Sequence, residues 1–183
     1  MPSLPGLRGC RRASRSRSQR GASAVELALV SFIFFPLMFG LIDYGMWFND
    51  SLNARQGVRE AARLGVVQEF GAGCTSSNKM ECLKQIVKSE TRAVAGQTAV
   101  KVLVPEGWSR RKPLIVCAAI KETGVTNLTP LPNDGVIVAE TRMSIEVDTP
   151  PQPALTPGTS VEDPFPGATG SWAWCGKEDD DDA

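Results

Sequence analysis

Gly21-Ala22-Ser23-Ala24-Val25-Glu26 stands between an arginine-rich head and a long apolar run, and its reading decides the rest of the chain. A glycine is followed at the fifth position by a carboxylate, and then by a helix that seeks hydrocarbon. Glu26 falls where a membrane helix should hold no ionisable group, so it calls for a functional explanation. On its N-terminal side, residues 1–20 carry Arg8, Arg11, Arg12, Arg15, Arg17 and Arg20 and no acid. That segment has a side-chain charge of about +6, since arginine is always protonated. On the other side, residues 27–42 include no charged side chain. At 1.5 Å per residue this uncharged core covers roughly 24 Å, and with the apolar residues that flank it, out to Phe48, it reaches the roughly 30 Å of a bilayer core. The pattern predicts one membrane crossing.

Basic residues near the two ends set its direction. Six arginines precede the span, whereas Arg55, Arg59 and Arg63 follow it. Positive charge stays inside, so the N-terminus is expected in the cytoplasm and the C-terminal part is expected to be exported. Tyr44 and Trp47 lie near the far end, where amphipathic rings favour the interface. Asp43 marks that same boundary and receives no specific role. Other meanings of the head fit less well. A cleaved secretory signal should end in a small-x-small site, and the residues after Phe35 offer no convincing one. Arg11-Arg12 resembles a twin-arginine export signal but belongs to a scattered basic run. An arginine–serine tail would suit RNA phosphates, yet its place directly before a membrane span makes topology the simpler explanation.

Three stretches then carry a resemblance. Arg20-Gly21-Ala22-Ser23-Ala24-Val25-Glu26-Leu27-Ala28-Leu29, the later Phe39-Gly40-Leu41-Ile42-Asp43-Tyr44-Gly45, and Ala54-Arg55 with Glu60-Ala61-Ala62-Arg63-Leu64-Gly65 resemble, over about residues 20–66, the TadE-like family of tight-adherence (Flp) pilus pseudopilins. The resemblance implies cleavage by a membrane aspartic prepilin peptidase between Gly21 and Ala22, which makes Glu26 the fifth residue of the mature protein. It also implies that Glu26 faces the freed amino group of a neighbouring subunit. A buried carboxylate is tolerated when an opposite charge partners it, and glycine leaves the backbone open to a protease. The partners implied are the prepilin peptidase, other pseudopilins and pilin subunits, an inner-membrane pilus assembly platform and membrane lipid. The location implied is the bacterial inner membrane, single-pass, with a periplasmic or extracellular C-terminal domain.

Two departures refine the expectation. Leu27 stands where the major-pilin pattern has tyrosine after the glutamate, and the exported part is far larger than a small major subunit. Both favour a minor pseudopilin acting in pilus biogenesis, adhesion or secretion. The alternative is a permanently membrane-anchored envelope protein with an exported partner-binding domain, in which Glu26 snorkels at the cytoplasmic edge.

Beyond the span the helix is expected to continue. Ala54, Val58, Ala61 and Gly65 recur at helical spacing as a smooth face, while Arg55, Arg59 and Arg63 form a basic stripe best read as solvated. A second amphipathic helix is predicted over residues 78–95, capped by Asn78 with Glu81 in its first turn and closed by Gly96. Strands are predicted over 98–104, 114–121 and 136–147 from period-two patterning. The fold class is therefore α+β, a single-pass N-terminal membrane helix extended into a pilin-like domain with a second helix and a small antiparallel sheet. The domain organisation expected is a basic leader (1–21), a transmembrane and extended helix (22–70), an exported α+β domain (71–148) and a Pro/Gly-rich tail with an acidic end (149–183).

Cysteine parity supports export. Cys10 leaves with the leader, so Cys74, Cys82, Cys117 and Cys175 remain for an oxidising compartment. Of the three possible connectivities we expect Cys74–Cys82 and Cys117–Cys175. A metal site is not expected, because there is no Cys-x-x-Cys pair and the chain has no histidine. The same lack excludes nucleophile–histidine catalysis, and there is no phosphate loop or dinucleotide fingerprint. No cofactor and no enzymatic activity are expected. The whole chain has a formal net charge of zero, but without the leader arginines fourteen basic residues face twenty acidic ones. An acidic mature protein is a poor binder of nucleic acid.

Overall fold

A computed structural model describes residues 17–70, 74, 78–91, 93, 96–126, 129–147, 155–167 and 170–177. It divides into two compact units, with the boundary between Met38 and Phe39. One helix, α1 (Arg17–Val66), runs through that boundary with Pro36 inside it. Proline there removes one backbone donor, a loss that membrane helices tolerate.

Within the first unit the large apolar side chains of α1, among them Val25, Leu29, Phe32, Ile33 and Leu37, are exposed. The apolar stretch of α1 is long enough to cross a membrane, with a mean hydropathy of 2.3 over its best window and none of that window buried. A helix that is apolar all round and uncovered by its own chain belongs in lipid. One such helix among the described residues fits a single-pass membrane protein.

The second unit is built around the later part of α1. Ala54, Val58, Ala61, Ala62 and Val66 are buried in one core with Met80, Leu83 and Val87 of α2 (Lys79–Glu90). Small residues allow the close approach: a Cβ on Gly57 would lie 2.4 Å from Thr91 Cγ2, and one on Gly65 would lie 2.7 Å from Leu114 Cδ2. The partner of the smooth face is thus the chain's own domain. Asn78 caps α2 by accepting from the Met80 N–H at 3.1 Å. The helix stops earlier than its periodicity predicts: Thr91 donates its N–H to the Val87 carbonyl and its hydroxyl to the same oxygen at 2.7 Å, closing the last turn.

Among the described residues four antiparallel strands form one sheet in the order β3-β2-β1-β4, with β1 at Gln97–Val104, β2 at Pro113–Lys121, β3 at Val136–Ser144 and β4 at Thr159–Glu162. Lys101 opposes Cys117 and Ala119 opposes Val138, which fixes the register. Val100, Val102 and Val104 point into the main core with Leu114, Val116, Ala118 and Ile120. The β2 strand is buried on its other face too, where Ile115 and Cys117 meet Cys175, Leu103, Trp172 and Trp174. That second layer explains why β2 reads as a continuous apolar run and does not alternate. The β3 strand ends at Ser144, short of Val147, and Ile145 stays buried by donating its N–H to the Lys112 carbonyl.

The C-terminal region departs most from its composition. Pro- and Gly-rich sequence favours an extended tail, yet β4 pairs Val161 with Val102 and Glu162 with Lys101. Four residues of Thr, Ser, Val and Glu are enough for an edge strand because β1 already supplies the template. Trp172–Trp174 then folds as one turn over the sheet, and Trp172 donates to the Asp163 carbonyl at 2.9 Å.

Candidate functional site

The candidate processing and assembly residues lie at the start of α1. Gly21, Ala22 and Glu26 are all helical and exposed, and a Cβ on Gly21 would meet nothing within 4 Å. Ala22 and Glu26 are four apart, so they share one helical face about 6 Å apart along the axis. An amine at residue 22 and the carboxylate of residue 26 would therefore present opposite charges on the same side of the helix. The leader up to residue 16, with Cys10, lies outside the described residues.

A second carboxylate on α1 is placed very differently. Asp43 is 1% exposed. Its Oδ1 accepts from the backbone N–H groups of Val125 at 3.0 Å and Thr126 at 3.2 Å, while its Oδ2 accepts from the hydroxyls of Thr126 and, at 3.1 Å, Thr129. Next to it Tyr44 donates its phenolic hydroxyl to the Pro130 carbonyl at 2.9 Å. One turn earlier, a Cβ on Gly40 would come within 3.3 Å of Thr129 Cγ2. Gly40, Asp43 and Tyr44 form one grip on a loop more than eighty residues away in sequence, and the carboxylate is satisfied by four donors. The sequence reading makes Asp43 a boundary marker only. The available signal was a carboxylate at the end of a span, which must find donors, together with the hydroxyls of Thr126 and Thr129 in an uncharged loop.

A third acid extends the attachment. Asp50 is fully buried and Glu122, just past the end of β2, is 2% exposed. Their side chains are hydrogen-bonded, and Asn49 donates to Asp50 Oδ1 at 3.1 Å. Burial, then the hydrogen bond to Asp50 and its charge, push the Glu122 carboxyl up to about 8. At neutral pH Glu122 is therefore the proton donor of the pair. Its Oε1 has no hydrogen-bond partner among the described residues. The backbone around it is equally tight: Glu122 donates its N–H to the Gly135 carbonyl at 2.8 Å, and Gly135, with φ 73°, leaves no room for a side chain, since a Cβ would stand 2.3 Å from the Glu122 oxygen.

Four cysteines of the second unit are joined as Cys74–Cys82 and Cys117–Cys175, with Cα separations of 5.4 and 6.1 Å. The first ties the connection after α1 to α2. The second fastens the tryptophan turn across the outer face of β2, where the Gly176 N–H also donates to Glu140 at 3.1 Å. Cys117, Glu140 and Cys175 bring ligand-type atoms within 4.8 Å of one another. The two sulfurs are bonded to each other, so this cluster has no thiolate to offer a metal.

On the far side of the sheet edge Asp163 gathers Lys84 at 3.2 Å and Lys88 at 3.3 Å, and Lys84 also reaches Glu81 at 2.8 Å. Burial alone would raise the Asp163 carboxyl, but the two lysines outweigh it and hold it below the ordinary carboxylate range. Burial likewise opposes charge on Lys84, and its two acids more than restore it. This node fastens α2 to the end of β4. Arg55, Arg59 and Arg63 remain exposed, with Arg63 paired to Glu60 at 3.7 Å.

No curated protein and no solved structure matches the chain. The family model described as TadE-like protein matches residues 21–63. The stretch of α1 that carries Glu26, Asp43 and the arginine stripe is therefore TadE-like in sequence.

Proposed function

We propose that this protein is a minor pseudopilin of a tight-adherence (Flp-type) pilus system. The TadE-like match associates it with that machinery. It is inserted with its basic leader in the cytoplasm, cut by prepilin peptidase between Gly21 and Ala22, and presented to an inner-membrane assembly platform. Once the leader is gone, the amine of Ala22 and the Glu26 carboxylate of a neighbouring protomer neutralise each other inside lipid, where neither is tolerated alone. The observation that carries the reading is the order of chemistries inside the TadE-like stretch: Gly21, then Glu26, then an exposed apolar helix. The exported domain serves as an assembly component and not as a catalyst, which agrees with a chain lacking histidine.

Intact-mass analysis of protein extracted from membranes tests the first step. A mature N-terminus at Ala22 is expected, and a retained leader would instead support the permanently anchored envelope protein. Gly21→Ala is expected to block cutting. Glu26→Ala is expected to permit cutting and impair pilus assembly, and normal piliation with both variants would sink the mechanism.

A further inference from the structure

The loop that grips Asp43 has a consequence at the membrane surface. The uncharged stretch of α1 ends at Ile42, and Asp43 is the next residue. With about twenty helical residues needed to cross a bilayer core, a span that begins between Ala22 and Glu26 reaches its outer boundary close to Asp43 and Tyr44. Val125, Thr126, Thr129 and Pro130 are hydrogen-bonded to those same two side chains. The loop is therefore held at the height where α1 leaves the hydrocarbon. Val125 is 64% exposed, although its N–H is committed to Asp43. From Thr123 to Asn133 the sequence has no charged side chain, and the nearest acid, Glu122, is buried beside Asp50. On α1, Leu41 is exposed two residues before Asp43, and Tyr44 is half-exposed just after it.

From this juxtaposition we infer that Val125 and Thr126, held by Asp43, form a second membrane contact, with Val125 seated in the interfacial layer of the outer leaflet beside the point where α1 emerges. The partner is the lipid surface itself. Contact is apolar and carries no headgroup selectivity, because the loop supplies no cation. Asp43 acts as the positioning residue: its carboxylate is spent on loop donors and holds Val125 at the boundary. The inference rests on the membrane span and its proposed direction, and stands whether or not Gly21 is cleaved.

Depth measurement tests it on the full chain. Cys10, outside the two bridges, is replaced by serine, and a spin label is placed through Val125→Cys in protein reconstituted into phosphatidylethanolamine/phosphatidylglycerol vesicles. Leu37→Cys serves as a reference inside the span and Ser109→Cys as one in an exposed turn of the domain. The Val125 label should relax more with oxygen than with a water-soluble nickel chelate, at a depth between the two references. Adding Asp43→Asn should shift it toward the Ser109 value while both disulfides persist. A Val125 label as open to the chelate as Ser109 overturns the loop contact even when Leu37 is immersed. A Leu37 label in water overturns the span itself, and with it this inference.

Discussion

Residues 21–42 and 43–66 belong to one continuous helix, yet they are composed for different solvents. The first stretch displays Leu27, Phe32, Phe34 and Leu37 exposed, with none of the described residues burying them, whereas the second buries Ala54, Val58, Ala61 and Ala62 completely. Large apolar side chains are matched to fluid lipid, which fits any shape. Small ones are matched to a fixed surface that must come close, here Leu83 and Leu114 against Gly65. The acids follow the same division. Asp43 and Asp50 are buried and bonded to the domain, while Glu26 is exposed on the helix. Within one element, then, burial by the chain itself separates a residue that organises the protomer from one available to another molecule.

Placing the same charge in both stretches puts the largest strain on that division. Val58→Asp would bury an unpaired carboxylate in the core, at a cost of at least about 4 kcal/mol, comparable to the stability of a whole domain. We expect loss of protease resistance and failure to form the native disulfides. Phe34→Asp should cost about 2.5–3.5 kcal/mol in membrane insertion and leave the domain's protease resistance intact in detergent. Equal damage to the domain from both variants would erase the distinction between the two stretches.

The Asp50–Glu122 pair offers a pH handle on the domain side only. Glu122 is raised to about 8 in the folded protein, from an ordinary value of 4.5. The folded state therefore holds a proton that the unfolded chain releases, and this contribution to stability is full below about pH 4.5, falls as pH rises, and is gone above about pH 8. Each unit of difference corresponds to about 1.4 kcal/mol, so a loss of a few kcal/mol is expected between pH 5 and 9. Urea unfolding of the detergent-solubilised protein across that range measures it, and Glu122→Gln should flatten the curve. An unchanged slope in that variant would place the titrating group elsewhere.

Much of this division was legible in sequence. The uncharged run and the alanines at helical spacing each name their surroundings, because composition reports solvent directly. The core faces of β1 and β3 were readable for the same reason, with Val100, Val102 and Val104 alternating as a half-buried strand does. What escaped reading depends on pairings between distant residues. Nothing local in Thr159-Ser160-Val161-Glu162 marks a strand, since its partner β1 is more than fifty residues earlier. Asp43 is likewise indistinguishable from a boundary marker until Val125, Thr126 and Thr129 are brought to it, and neither Asp50 nor Glu122 announces a buried neighbour.

Asp43 against Glu26 sharpens the comparison at a smaller scale. In Asp43→Asn the side chain loses its charge and one of its two acceptor oxygens, so loop donors are left poorly satisfied at a cost of about 1.5–3 kcal/mol. The midpoint of thermal unfolding should fall. Glu26→Gln should leave that midpoint unchanged, because residue 26 lies in the other compact unit and is exposed. A drop of similar size in both would mean that Glu26 also serves the protomer's own fold.

The smallest effect is expected at the partly exposed Asp163 node. Lys88 retains about half of its exposure (53%), whereas Lys84 is 14% exposed and Asp163 16%. Water and salt screen the outer pair, so Lys88→Ala should cost only about 0.2–1 kcal/mol and lose its effect at high ionic strength. Lys84→Met should cost more, since it leaves Asp163 half-buried with one lysine fewer and strips Glu81 of its partner. The depressed Asp163 carboxyl contributes stability at pH values above its ordinary 3.8 and loses it as pH falls through the lower folded value. Acid unfolding should thus begin at a higher pH in Lys84→Met than in the parent, and Lys88→Ala should lie between them. If the two lysine variants reversed that order, exposure would not be what grades these ion pairs. The sequence of effects from Val58 outward would then need a different physical cause.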